Sequence, residues 1–181
     1  NQKDIYQFKR KNKVKLSKKD KILCAKYRKG HFEGVIDVMD RLTNLIKPKN
    51  IFMGLKDLQQ LYLVKKFIKK KYRSRVIGCK TIRNNNKLAL SSRNFLLKKK
   101  QIIKAEKLSQ NLIYFKKKLF INRNINIIIN KKKKELEKLI KIKIEYLELR
   151  NIQNFNKTNQ NKNSKLFIAY YLGKIRLIDN F

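Results

Sequence analysis

Leu88–Asn94 reads LALSSRN, an apolar tripeptide followed by two hydroxyls and a guanidinium. Ser91 and Ser92 offer compact O–H donors, and Arg93 offers a planar, permanently charged fork matched to phosphate oxygens. A second segment, MGLKDLQQ (Met53–Gln60), places Gly54 after an apolar run and Lys56–Asp57 just ahead of an amphipathic stretch. At a strand-to-helix turn, that position exposes backbone N–H groups and the positive end of the helix dipole, and Lys56 adds a full charge for an anion. A third segment, YRKGHFEGV (Tyr27–Val35), holds His31, the one histidine of the chain, between two glycines. Each segment has a plainer alternative. Asp57 can cap an ordinary helix, a serine can cap a turn beside a surface arginine, and a lone histidine is more often structural. Two phosphate-suited segments in one chain favour a nucleotide site.

These residues need elements to hold them. From Glu33, Val35, Met39, Leu42, Leu45 and Ile46 recur at helical spacing, and Pro48 lies just beyond a helix end. NIFMG (Asn50–Gly54) suits a short buried strand. In LKDLQQLYLVKKFIKK, Leu58, Leu61, Val64 and Ile68 share one helical face, and RVIGC (Arg75–Cys79) suits a second buried strand. This alternation implies a parallel α/β sheet, whose ligands bind outside the carboxyl ends of the strands. After Asn94 the pattern changes. A helix is expected over 98–119 and a weaker one over 124–141, interrupted by lysines 131–134. IKIKIEYLELR then alternates as a strand with Ile142, Ile144 and Tyr146 on one face, followed by a loop over 151–164 and two strands joined at Gly173–Lys174. The expected organisation is an α/β domain over 1–89, with a polar, loop-like lead-in over 1–21, and a smaller α+β domain with antiparallel strands over 90–181.

Composition sets bounds on the chemistry. The 181 residues include 49 Lys+Arg against 12 Asp+Glu, a net charge of +37, and 42% are hydrophobic, enough to bury a core. Such a field attracts polyanions, and a basic nucleic-acid-binding protein is the alternative reading. The lysines are spread over nearly every segment and no nucleic-acid motif accompanies them, so they read as solvated surface with non-specific affinity only. Cys24 and Cys79 are far apart in sequence and, with one histidine, do not make a metal site. No apolar run approaches the ~18 residues of a membrane span, and no signal peptide is visible, so a cytoplasmic setting is expected. The first residue is Asn1 rather than methionine, and the chain reads as a piece whose beginning is missing.

Taken in order, GHFEGV, GLKDLQQL, LALSSRN, YLELR and LGKIRLIDN resemble the pantothenate synthetase (pantoate–β-alanine ligase) family over nearly the whole chain. The resemblance implies the C-terminal part of a Rossmann-like nucleotidylyltransferase sheet, followed by a small lid domain. It implies a homodimeric ligase that uses ATP and Mg²⁺ to convert pantoate to pantoyl adenylate and then joins it to β-alanine, giving pantothenate, AMP and diphosphate. Gly54, Leu55, Lys56 and Asp57 match the family's ATP-binding Gly-Glu-Lys-Asp, with Leu55 in place of the glutamate. Gln60 matches a pantoate-binding glutamine, and Ile82 a position whose backbone borders the adenine. Leu90, Ser91, Ser92 and Arg93 match the stretch that closes over the triphosphate. Lys56, Ser91, Ser92 and Arg93 are thereby implied to neutralise transition-state charge. Arg28 and His31 fall on the loop at the pantoate and β-alanine end, where Cys24 and Lys29 replace the usual glutamate and proline. The family's His-x-Gly-His motif is expected upstream of Asn1.

Overall fold

The computed structural model describes Tyr6, residues 14–121 and residues 124–181. Most of the expected lead-in, residues 1–5 and 7–13, lies outside these. The chain divides into two compact units, Asn1–Lys80 and Thr81–Phe181.

In the first unit, β1 (Asn50–Gly54) and β2 (Arg75–Cys79) pair in parallel, with Ile51 opposite Val76 and Gly54 opposite Cys79. Between them runs α2 (Leu58–Lys71), and ahead of β1 lies α1 (His31–Ile46). The expected face of α2 is the buried one, with Leu58, Leu61, Val64 and Ile68 joined by Leu63. It packs against β1 and β2, and α1 packs against α2. Among the described residues, α2 covers one face of the strand pair. Ile51 and Val76 face inward, and Phe52 lies on the opposite face. Helix α1 differs from expectation in its buried stripe. Its buried residues are Phe32, Ile36, Asp40 and Thr43, while Leu45 and Ile46 are exposed. The cause is polar pairing. Asp40, 1% exposed, accepts from Lys71 Nζ at 3.0 Å and from the Tyr72 hydroxyl, and the Thr43 hydroxyl donates to the Met39 carbonyl at 2.6 Å. A satisfied carboxylate and hydroxyl can occupy a core-facing stripe that periodicity reserves for apolar residues.

The second unit contains α3 (Lys99–Lys118), α4 (Ile125–Ile140) and an antiparallel sheet of β3 (Lys143–Asn151), β4 (Ser164–Leu172) and β5 (Ile175–Asn180), in the order β3-β4-β5. Lysines 131–134 do not interrupt α4, because Ile125, Ile129, Leu136 and Ile140 keep the buried stripe unbroken. A bulge between Ile144 and Tyr146 shifts the face of β3. Ile144, Leu147 and Leu149 enter the core cluster, and Tyr146, although buried, does not. Leu172 faces Ile175 across the two-residue turn Gly173–Lys174, and Gly173 has φ +63°, a conformation that tight hairpins give to glycine.

The division at Lys80–Thr81 differs from the boundary read at residue 90. Residues 83–89 form a small bridge, Arg83 opposite Ala89, tied to the second unit's own strands. Arg83 donates to both carboxylate oxygens of Asp179 on β5, at 2.6 and 2.9 Å. That bidentate pair, with Leu88 in the second unit's core, draws the segment into the later unit.

Candidate functional site

In the first unit, β1 ends at Gly54, a single 3₁₀ turn covers Leu55–Asp57, and α2 starts at Leu58. Lys56 is half-buried at this turn, its Nζ 3.9 Å from the exposed Asp57 carboxylate. Asp57 occupies the cap position of α2, yet its side chain makes no capping hydrogen bond. The plainer reading of the segment is therefore not realised. Leu55 packs over β2, where a Cβ on Gly78 would stand 2.8 Å from Leu55 Cδ2 and 3.1 Å from Leu61 Cδ1. Glycine at position 78 is what lets the leucine lie there. One turn along, Gln60 is half-buried, and its amide bonds to no other described residue.

Arg28 and His31 reach the same unit by a different path. Leu23 leads into one helical turn, Cys24–Tyr27, and the Arg28 N–H closes it on the Cys24 carbonyl at 2.8 Å. Gly30 follows at φ +78°, and His31 opens α1 with its ring 5.0 Å from that of Phe32. Two hydrogen bonds from Gln59 tie this entry segment to α2. Its Oε1 accepts from the Cys24 N–H at 3.0 Å, and its Nε2 donates to the Ile22 carbonyl at 2.7 Å.

In the second unit the Leu90 N–H donates to the Ile82 carbonyl at 2.9 Å, which sets Ile82 beside the start of the Ser-Ser-Arg turn. Asn94 Nδ2 braces that turn on the Ala89 carbonyl at 3.0 Å. Ser91 behaves as a cap, its Oγ accepting from the Arg93 N–H at 3.3 Å. Ser92 is exposed, and its hydroxyl bonds to no described residue. Arg93 is held from the side, as one Nη1–H donates to the Arg176 carbonyl of β5 at 2.9 Å and the rest of the fork carries no bond to a described residue. Beside the Arg83–Asp179 pair, burial and then the Arg83 charge push the Lys165 ammonium pKa down, and burial pushes the Tyr170 phenol up from 10.0.

Gly54–Gln60, Arg28 and His31 thus belong to the first unit, and Ile82 joins Leu90–Arg93 in the second rather than Gly54 in the first. Sequence reading missed Gln59, Arg83 and Asp179. Tandem glutamines look alike until the fold buries one of them, and the Arg83–Asp179 pair spans 96 positions.

The family model for pantoate-beta-alanine ligase matches residues 1–181. The chain belongs to that family. A pantothenate synthetase of Campylobacter hominis is 40% identical over 163 residues, covering 88% of this chain and 58% of the relative. One of Flavobacterium psychrophilum is 35% identical over 160 residues, covering 86% and 56%. The chain thus spans a little over half the length of these curated ligases. A pantothenate synthetase structure from Thermus thermophilus superposes with a TM-score of 0.89 at 24% identity, over 100% of this chain and 67% of that one, and shows the shared fold. A Francisella tularensis pantoate-beta-alanine ligase, solved with beta-gamma ATP and beta-alanine, gives a TM-score of 0.77 at 31% identity, over 99% and 61%. The alternative of a nucleic-acid-binding protein finds no support in these ligase relatives.

Proposed function

We propose that this chain, within a protein of its relatives' length, condenses pantoate with β-alanine at the expense of ATP. A pantoate carboxylate oxygen bonds to the α-phosphorus as the bond to the β-phosphate's bridging oxygen breaks, giving pantoyl adenylate and diphosphate. The amine nitrogen of β-alanine then bonds to the acyl carbon, AMP leaves with the carboxylate oxygen, and the amine's proton passes to solvent. The observation that carries the proposal is the family match over all 181 residues, within which both phosphate-suited segments lie.

No protein nucleophile is required. The work is to hold two anions in line and to neutralise charge as diphosphate departs. Lys56 at the strand-to-helix turn, Ser91, Ser92 and the open part of the Arg93 fork supply that neutralisation. Gly54, Leu55, Asp57, Ile82 and Leu90 complete the ATP contacts, and Gln60 reads pantoate because an uncommitted amide both donates and accepts. Arg28 and His31 lie at the pantoate and β-alanine end. The described residues contain no cluster of three or more His, Cys, Asp or Glu that could hold a metal. Asp57, the exposed carboxylate of the strand-to-helix turn, would help hold Mg²⁺ together with the phosphates of ATP, and the ion would supply further charge neutralisation. Among the described residues no helix is long and apolar enough to cross a membrane. A cytoplasmic setting and the homodimer implied by the family resemblance complete the proposal.

Gln60→Ala tests the substrate end. It should raise KM for pantoate about tenfold, the effect of removing an amide that pairs polar substrate groups, and leave KM for ATP within about twofold. Equal effects on both substrates would show that pantoate does not sit at Gln60.

A further inference from the structure

Gln59 and Gln60 are neighbours of identical chemistry, but the fold treats them differently. Gln60 keeps its amide uncommitted, whereas Gln59 is 7% exposed and bonds on both sides of one residue, accepting from the Cys24 N–H and donating to the Ile22 carbonyl. The bracketed residue, Leu23, lies at φ +46°, ψ −126°, where the steric clash of a Cβ disfavours any L residue but costs glycine little. Its side chain is 2% exposed, so the leucine is kept for its packing despite the backbone it adopts. Such a conformation persists only where the surroundings over-determine it. Burial of the leucine on one hand, and the two bonds of Gln59 on the other, do so here. The Ile22 carbonyl also accepts from the Ala25 N–H at 2.9 Å, so the same oxygen starts the helical turn that delivers Arg28 and then His31.

We propose that Gln59 is a positioning residue for the substrate end. Its amide fixes the Leu23 turn, and the turn sets Arg28 and His31 against the helix that carries Gln60. This rests on the assignment of Gln60, Arg28 and His31 to pantoate and β-alanine. A pair of glutamines then divides the labour, one reading the substrate and the other holding the loop that meets it.

Cys24 reports on the clamp directly, since it is buried while Cys79 is exposed. In the full-length enzyme, Gln59→Met keeps the side-chain length and removes both hydrogen bonds. It should raise iodoacetamide labelling of the Cys24 peptide at least tenfold relative to the Cys79 peptide. KM for pantoate and β-alanine should rise about tenfold, and KM for ATP should stay within about twofold. Gln59→Glu keeps the acceptor for Cys24 and loses the donor to Ile22, so it should fall between wild type and Gln59→Met. It also serves if the methionine variant does not fold. Increased labelling with unchanged KM values would make the clamp merely structural and overturn the proposal. A parallel rise in all three KM values, or no change in labelling, would overturn it as well. The Gln60→Ala enzyme separates the two claims. If that variant raises KM for pantoate while Gln59→Met leaves the substrate KM values unmoved, the positioning role alone fails. An unchanged pantoate KM in Gln60→Ala would remove the site assignment itself.

Discussion

Arg93 is anchored by one bond and open elsewhere, with the Arg176 carbonyl taking one N–H while the remainder of the fork is unbonded to any described residue. A guanidinium fixed on one side and presented on the other suits bidentate contact with phosphate, which a lysine's single ammonium cannot reproduce. Arg93→Lys should therefore raise KM for ATP about tenfold and lower kcat, while KM for β-alanine changes little. Steady-state kinetics with each substrate varied in turn would check this, and an unchanged ATP KM would remove Arg93 from the phosphate contacts. The types Ser-Ser-Arg were legible as phosphate chemistry because hydroxyl and guanidinium groups carry it wherever they stand. Which serine caps and which stays open was not legible. That depends on the extended backbone at Ser91, which turns its Oγ onto the Arg93 N–H. Gln59 was illegible for the same reason, since only burial and the entry loop distinguish it from Gln60.

Elements were legible where apolar spacing and burial coincide, as for Leu58, Leu61, Val64 and Ile68 on α2. They were misread where a polar group takes a core position, as Asp40 does in α1, and where one extra residue, Glu145, turns the face of β3. The anchor of segment 83–89 is remote in sequence, so its attachment to β5 is not legible from spacing. Asp179 is 6% exposed, and both of its oxygens accept from Arg83, so removing its charge leaves a half-buried guanidinium with a poorer partner. Asp179→Asn should destabilise the second unit by about 3 kcal/mol, the lower end of the range for breaking a buried pair by removing one partner. Urea denaturation would measure the loss. A change below about 0.5 kcal/mol would mean that packing of Leu88 and its neighbours holds the segment without the ion pair.

At the scale of the whole molecule, the net charge of +37 is carried by lysines distributed along both units. A diffuse positive surface should bind RNA weakly and without sequence preference, with affinity falling steeply between low and physiological salt as counterions are no longer released to advantage. A salt titration of binding to two unrelated RNA sequences would check this, and tight, sequence-selective binding in high salt would contradict it. In the proposed ligase reaction the pantoate carboxylate attacks the α-phosphorus of ATP. That step moves an oxygen atom, and the atom can be followed. Pantoate labelled with ¹⁸O in its carboxylate, supplied with ATP, Mg²⁺ and β-alanine to the full-length protein, should deliver one ¹⁸O to the phosphate of AMP and none to diphosphate. Label appearing in orthophosphate with ADP as the other product, or ATP cleavage that proceeds without pantoate, would contradict the proposed reaction.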